Sequence, residues 1–145
     1  MTTVRGCEMP DTLLYDIEAN VWCRLEDSGL LTLGMTAYAC SLSGDIVACM
    51  PRKPGKEVQQ GKSCATVESG KWVGPVKAPV AGEIVEVNQQ AVDDPTSINE
   101  DPYGAGWLIR MRPLDWQTES IRLLGGQAAR DAYAAKMDEE GFGGC

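Results

Sequence analysis

The chain has 145 residues, a formal net charge of −8 and no histidine. This acidic balance repels the phosphates of nucleic acids and of anionic lipids, so we expect neither nucleic acid nor a membrane surface as a partner. No apolar run approaches the ~20 residues of a membrane span, and the first ten residues lack a secretory signal, so we expect a cytoplasmic protein. At this length we expect one domain over 1–145.

Alternating apolar and polar residues predict a β-hairpin near the start of the chain. The alternation runs over 20–26, a turn signal occupies 27–29, and an apolar run at 30–33 forms the return strand. Thr36 as an N-cap and Gly44 as a closing glycine bracket about two turns of helix. The sequence therefore predicts a β-rich domain with a short internal helix.

A second pair of predicted strands leads to an exposed lysine. Segments 45–50 and 64–68 have the pattern of strands, and the prolines and glycine of 51–55 interrupt the pairing between them. The turn that follows contains Lys71, and strand-like residues resume at 82–87. We therefore expect the Lys71 amine to be presented to solvent on a rigid base.

Two parts of the chain repeat a strand, loop and strand pattern. Segment 43–47 followed by 61–67 is similar to segment 81–85 followed by 104–111. Two such units that share a core predict a small sandwich of antiparallel sheets over about 13–113.

The remaining residues have a helical pattern. Segment 115–124 is compatible with a helix, the two glycines at 125–126 end it, and 127–137 begins another, which gives a helical segment over about 115–138. The acidic, glycine-rich residues 139–145 are expected to fray. Four side chains are predicted to pack this segment on the sandwich: Ile121, Leu124, Ala128 and Tyr133.

Six cysteines occur without a C-x-x-C pair, and without histidine they form no zinc motif. In a reducing compartment we expect Cys23, Cys49 and Cys64 to be thiols that fill small apolar sites. Cys7 and Cys145 lie near the ends of the chain and are expected to be exposed, reactive thiols, although Cys145 is equally compatible with an incidental residue. The sequence assigns no disulfide. The acidic residues near 93–101 lack the spacing of a calcium loop, so no metal site is predicted.

Several segments of the chain, taken together, form a pattern that is specific for one protein family. They are 34–39, 44–47, 78–88, the Val-Glu-Ser-x-Lys motif at 67–71 and the Asp-Pro-Tyr-Gly-x-Gly-Trp motif at 101–107. In this combination the chain resembles the H proteins of the glycine cleavage system, over about residues 15–140.

This resemblance implies a mainly β fold, a lipoyl/biotinyl-type barrel-sandwich hybrid of two antiparallel sheets with a short internal helix and C-terminal helices. It implies that Lys71 carries lipoate as a side-chain amide. Glu68, Ser69 and Gly70 are then recognition and turn residues for the enzyme that attaches lipoate, and Gly70 is expected to adopt angles closed to other residues. Lys77 is the nearest competing lysine. The protein is expected to be a carrier without catalytic residues.

Departures from the H-protein pattern bear on the group that is carried. H proteins usually have His-Glu-Trp in the first strand, where this chain has Asn20, Val21 and Trp22, so the carboxylate that handles an aminomethyl-loaded arm is absent. After the lysine, H proteins typically have small polar residues, whereas this chain has Trp-Val-Gly-Pro-Val at 72–76. With segment 5–10, these features are similar to the H-like lipoate-binding proteins of the sulfur-oxidising heterodisulfide reductase-like (sHdr) system of bacteria.

The resemblance to that subgroup predicts a carrier of sulfur-bound intermediates or electrons. Its expected partners are a heterodisulfide reductase-like complex, a lipoate ligase or lipoate-assembly enzymes, and dihydrolipoamide dehydrogenase. One alternative is the glycine cleavage H protein, which carries an aminomethyl group. Another is a biotin carrier or an unmodified interaction domain, although biotinyl proteins usually flank their lysine with methionines rather than with Gly70 and Trp72. Trp72 is compatible with partner docking or with covering the core edge, whereas Trp22 and Trp107 are expected in the core.

Overall fold

The computed structural model describes residues 2–145, over which the chain forms twelve β-strands and five α-helices. The strands are β1 (Thr3–Val4), β2 (Cys7–Glu8), β3 (Leu14–Asp16), β4 (Val21–Leu25), β5 (Leu31–Met35), β6 (Ile46–Pro51), β7 (Glu57–Val58), β8 (Ser63–Ser69), β9 (Val73–Lys77), β10 (Gly82–Val87), β11 (Ile109–Pro113) and β12 (Leu124–Gly125). The helices are α1 (Ala37–Ser43), α2 (Gln89–Asp93), α3 (Thr96–Glu100), α4 (Trp116–Glu119) and α5 (Gly126–Glu139), with a 3₁₀ helix at Ser120–Arg122.

Within residues 2–145 the strands form two main antiparallel sheets and one separate hairpin. The larger sheet has the order β12-β3-β4-β5-β11-β10-β7, the smaller has β6-β8-β9, and β1 pairs with β2. The predicted hairpin is confirmed, because β4 and β5 pair from Val21 opposite Met35 to Leu25 opposite Leu31. Helix α1 is also confirmed: the Thr36 side chain accepts from Ala39 N, and Gly44 follows its last turn. The mainly β sandwich predicted from the sequence is therefore confirmed.

An apolar core joins the two sheets, because alternate side chains of each strand point inward. Cys23, Cys49 and Cys64 lie in this core, as expected, and Cys40 of α1 joins them. Its largest contributors include Val21, Leu31, Leu33, Ile46, Val67, Val76, Ile84, Ile98, Leu108, Ile109 and Met111.

A second apolar cluster forms where α5 packs on the larger sheet. Tyr133 is fully buried, and its ring meets those of Tyr15 at 6.3 Å and Tyr38 at 5.6 Å, edge to face. Trp22 is also fully buried and donates from Nε1 to the Pro102 carbonyl at 2.9 Å, so its prediction as a core residue is confirmed.

Trp107 departs partly from its prediction. It packs only in part against the α5 cluster, and the Arg110 guanidinium lies over its ring at 4.0 Å. The ring therefore covers the edge of the core and forms a cation–π contact instead of being enclosed.

Of the four side chains predicted to pack the helical segment on the sandwich, Tyr133 is buried as expected, whereas the other three are exposed or only half-buried. Ile121 is 80% exposed, whereas Leu123 is buried. The cause is that the predicted helix ends early, and β12 then pairs with β3, placing Leu124 opposite Tyr15. Leu124 is half-buried, and Ala128 is exposed while its neighbour Ala129 is buried. Within α5 the buried side chains recur every four residues, at Ala129, Tyr133 and Met137.

The two ends of the described chain are joined, which corrects the expectation of free thiols and a fraying tail. Cys7 and Cys145 form a disulfide, with their Cα atoms 5.0 Å apart. Cys145 N also donates to the Arg5 carbonyl at 2.9 Å, and the Phe142 ring packs edge to face on Tyr38 at 4.8 Å. A tight turn with positive φ at Arg5 and Gly6 pairs β2 with β1, and β1 packs against α5, which the composition of the tail did not reveal.

Candidate functional site

The predicted attachment residue, Lys71, lies in the turn between β8 and β9. Ser69 braces this turn, because its backbone N–H donates to the Trp72 carbonyl at 2.7 Å and its hydroxyl oxygen accepts from Lys71 N at 3.3 Å. Ser69 is itself buried, while Lys71 is exposed. The lysine therefore stands in solvent on a turn whose base is fixed by hydrogen bonds.

Gly70 does not have the backbone role expected for it. Its φ lies outside the left-handed region, and no atom lies within 4 Å of the position that a Cβ would take. Gly44 has that role instead, with φ 79° and ψ −164°, a region open almost only to glycine. A Cβ on Gly44 would lie 3.3 Å from Lys71 Cε and 3.9 Å from Nζ. The lysine side chain therefore passes over Gly44, which the sequence identified only as a helix end.

Asn99 fixes the position of Gly44, and sequence reasoning gave it no site role. Its Nδ2 donates to the Gly44 carbonyl at 2.9 Å, and its Oδ1 accepts from Ile46 N at 2.8 Å. This side chain thus joins α3 to the backbone beneath Lys71. Its position two residues before the motif at 101–107 was the available signal, but the partner lies 55 residues away and could not be found from spacing.

A cavity of about 480 Å³ opens beside Lys71, between α1 and the two sheets. Its wall is mainly apolar, and among the described residues no acidic side chain lines it. The lining residues are Ala19, Asn20, Val21, Met35, Ala39, Leu42, Ser43, Lys71, Trp72, Pro75 and Val76.

Asn20 is the main amide at this cavity, and it is already engaged. It adopts φ 59°, and its Oδ1 accepts from Lys136 Nζ at 3.0 Å and from the Tyr133 hydroxyl at 3.2 Å. Val21, beside it, is buried. The two positions where the H-protein pattern has histidine and glutamate thus present an occupied amide and an aliphatic side chain.

Trp72 covers the edge of the core, which is one of the two roles that the sequence left open, and partner docking stays a prediction. Its ring lies over the backbone of Gly74, where a Cβ would collide with the indole, and it lines the cavity while remaining 39% exposed. Val73 beside it is 61% exposed. An apolar edge therefore surrounds the lysine.

The other two residues near Lys71 have different settings. Glu68 is half-buried near the end of β8, opposite Val73. Lys77 lies at the end of β9, opposite Ser63, and lines a smaller polar cleft of about 220 Å³ with Asp16 and Arg122. Lys77 is exposed but belongs to a strand. Of these two lysines, only Lys71 lies at the tip of the hairpin.

The free cysteines are poor nucleophiles in this fold. Burial in the apolar core raises the pKa of Cys23, Cys40 and Cys64 to about 12 and that of Cys49 to about 11. These thiols are protonated at neutral pH, and the thiolate is the reactive form. Across residues 2–145 no group of histidine, cysteine and acidic side chains is arranged to hold a metal ion. None of the helices in that part of the chain could cross a bilayer.

A lysine held at the tip of a hairpin, beside an apolar cavity, is compatible with the attachment site of a carrier protein. Comparison with known proteins agrees: a family model described as glycine cleavage H-protein matches residues 13–137. The chain belongs to this family. Proteins of the family carry lipoate covalently on a lysine and are carriers rather than catalysts.

Individual relatives span nearly the whole chain. The glycine cleavage system H protein 5 of Aquifex aeolicus (strain VF5) is 41% identical over an alignment 145 residues long, which covers 97% of this chain and 97% of the relative. A probable glycine cleavage system H protein 2 of Saccharolobus solfataricus is 45% identical over 131 residues, covering 89% of this chain and 88% of the relative. The crystal structure of a glycine cleavage system H protein from Mycobacterium marinum is 33% identical, covers 92% of this chain and 100% of its own, and superposes with a TM-score of 0.73.

Proposed function

We propose that this protein is an H-type lipoyl carrier in which Lys71 is the attachment lysine. The observation that supports this most directly is the exposed Lys71 side chain at the tip of the β8–β9 hairpin, beside the apolar cavity. Lipoate, when attached, supplies a disulfide that opens to two thiols and can exchange with other sulfur groups.

The residues around Lys71 fit such a group. Ser69 holds the turn, so the lysine leaves the body of the protein in a fixed direction. Gly44 leaves room for Lys71 Cε, and the aliphatic wall formed by Met35, Leu42 and others is compatible with an apolar ring. Glu68 and Ser69 precede the lysine within three residues and are proposed as the recognition positions for the enzyme that attaches lipoate.

We propose that the arm serves sulfur-compound oxidation, with a heterodisulfide reductase-like complex as partner. An aminomethyl group carries a basic nitrogen, and a carboxylate is the natural neighbour for a cation in a partly enclosed site. The cavity beside Lys71 has Val21 where that carboxylate would be expected. Among the described residues, no aspartate or glutamate lines its wall. An uncharged sulfur cargo matches this wall better than an amine.

The second candidate is a glycine cleavage H protein that carries an aminomethyl group. The names of the relatives from Aquifex aeolicus and Saccharolobus solfataricus favour it, at 41% and 45% identity. In either system we propose a cytoplasmic carrier that is loaded by a lipoate ligase or lipoate-assembly enzymes. Its arm would then be reduced or reoxidised by dihydrolipoamide dehydrogenase.

Aminomethyl loading of the lipoylated protein distinguishes the two cargoes. With glycine and glycine decarboxylase, we expect loading at least about tenfold slower than for a glycine cleavage H protein, because a lost charge pair in a partly buried site costs more than about 1.4 kcal/mol. Val21→Glu should raise loading, and Val21→Gln, which has the same shape without the charge, should not. Loading of the unaltered protein at the rate of a glycine cleavage H protein would overturn the sulfur proposal and favour the second candidate.

A further inference from the structure

The disulfide between Cys7 and Cys145 has one accessible side. Cys7 is 1% exposed, whereas Cys145 is exposed and lines a surface cleft with Ala37 and Ser41. Thiol–disulfide exchange requires a thiolate to reach one sulfur while the other departs. The geometry therefore permits attack at Cys145 Sγ and departure of Cys7.

The surrounding contacts would keep the two cysteines together after the bond opens. Cys145 N donates to the Arg5 carbonyl at 2.9 Å, and the Arg5 side chain donates to the Phe142 carbonyl at 2.7 Å. Phe142 N in turn donates to the Met137 carbonyl at 2.8 Å. Thiols held side by side in this way reclose at a high effective concentration. These hydrogen bonds do not depend on the disulfide, so they would hold the tail in place when the disulfide opens.

Helix α1 connects this disulfide to the proposed attachment lysine. Cys145 Sγ lies 3.9 Å from the Ala37 carbonyl oxygen, at the start of α1, and Lys71 Cε lies over Gly44, at its end. From Ala37 to Gly44 the helix rises by about 10 Å along its axis. Cys145 Sγ lies 3.9 Å from the first point, and Lys71 Nζ lies 3.9 Å from the Cβ position of the second. Residues 37, 41 and 44 share one face of the helix. Ser41 lines the Cys145 cleft together with Asn99, whose side chain is bonded to the Gly44 carbonyl, so this face leads from the cleft to Lys71.

The lysine side chain and a lipoyl group together have the length to cover this path. An extended chain of single bonds advances about 1.25 Å per bond, so its two sulfurs lie about 9 to 11 Å beyond Lys71 Nζ. Rotation of the lysine side chain adds further reach. Among residues 2–145, Cys23, Cys49 and Cys64 are buried in the core. Cys40 also lines the Cys145 cleft, but it is a free thiol, 7% exposed, that donates to the Ile98 carbonyl at 3.6 Å, and it therefore offers the arm no disulfide to open.

We infer that the Cys7–Cys145 disulfide is a second redox centre, which exchanges electrons with the reduced lipoyl arm on the same molecule. One thiolate of the arm bonds to Cys145 Sγ, the Cys7–Cys145 bond breaks, and Cys7 leaves as a thiolate that takes up a proton. The second arm thiol then displaces Cys145, which is released as the second thiol while the disulfide of the arm closes. Two electrons and two protons pass from the arm to the two cysteines. This inference depends on lipoylation of Lys71.

The experiment counts thiols on the intact, lipoylated protein. Intact mass first establishes one lipoyl group, and peptide mapping without reductant establishes the closed disulfide. Dihydrolipoamide dehydrogenase and reduced nicotinamide cofactor then reduce the arm. After an acid quench, alkylation and peptide mass spectrometry report Cys7 and Cys145 separately from the buried thiols. We expect both to become alkylated as arm thiols are consumed.

Three controls separate this step from other routes. The unlipoylated protein and Lys71→Arg lack the arm and should keep the disulfide closed, whereas Lys77→Arg should behave as the unaltered protein. With an effective concentration on the order of mM, exchange within one molecule should exceed exchange between copies at ~10 µM protein by about a hundredfold. Its rate should therefore be independent of protein concentration.

Several results would overturn the inference. They are an open disulfide in the oxidised protein, a disulfide that stays closed while the arm is reduced, opening in the unlipoylated protein, and a rate proportional to concentration. A chain without lipoate contradicts both this inference and the proposed function. A lipoylated chain whose disulfide stays closed contradicts this inference alone.

Discussion

Replacement of Gly44 by alanine should destabilise the protein, although Gly44 is not one of the residues proposed for lipoate recognition. Its φ of 79° and ψ of −164° occupy a region that an L-residue enters at a cost of about 1–3 kcal/mol. The Cβ would also lie 3.3 Å from Lys71 Cε, but this contact can relax because the lysine chain is flexible. For a domain of 145 residues the expected loss corresponds to a fall in Tm of about 3 to 10 °C.

Gly70→Ala is the matched control, one residue from Lys71. No atom lies within 4 Å of its Cβ position, and its φ is outside the left-handed region. Alanine there restricts the unfolded chain, so the free energy of unfolding should be unchanged or rise by up to about 1 kcal/mol. Urea unfolding followed by tryptophan fluorescence measures both variants. A stable Gly44→Ala protein together with a destabilised Gly70→Ala protein would refute the assignment of backbone roles at this site.

Three further outcomes are expected. Lys71→Arg should abolish lipoylation while leaving Tm within about 1 °C, because a surface charge is kept; intact mass and calorimetry check this, and Lys77→Arg should remain fully lipoylated. Arg122→Ala should cost about 1–3 kcal/mol, since Arg122 donates at 2.8 Å to the buried Asp16 carboxylate, which would lose its cation and keep only the bond from Ala19 N at 3.2 Å; Asp16→Asn in that background should recover part of the loss, and urea unfolding that shows no loss in Arg122→Ala would be inconsistent with this pairing. Burial raises the pKa of the four core thiols above the unfolded value near 9, so the unfolded chain loses these protons first. Their contribution to stability is full below about pH 8.5 and is lost as pH rises towards 11 to 12; a free energy of unfolding that stays constant from pH 8.5 to 10.5 in the unaltered protein, or falls no faster than in Cys40→Ala, would contradict it.

The elements that depend on local pattern were predictable from the sequence. Alternation identified the β4–β5 hairpin, and the Thr36 cap with Gly44 identified α1, because strands and short capped helices carry their signals within a few residues. The resemblance identified the sandwich and the family. The position of Lys71 between β8 and β9 also followed from the flanking strand patterns.

Features that join distant parts of the chain were not predictable in this way. The Cys7–Cys145 bond spans 138 residues, and Asn99 reaches Gly44 across 55. The composition of the tail indicated fraying because composition reports only local polarity. It does not reveal that the last residues contact the β1–β2 hairpin. The error at Ile121 has a similar cause: pairing of β12 with β3 ended the helix that local propensity favoured.

The attachment of lipoate to Lys71 is tested most directly on protein isolated from its own cells. Intact mass followed by peptide mapping should show one lipoyl group per chain, on the peptide that contains Lys71, with Lys77 unmodified. A chain that carries no lipoyl group, or one that carries it on another lysine, would contradict the account.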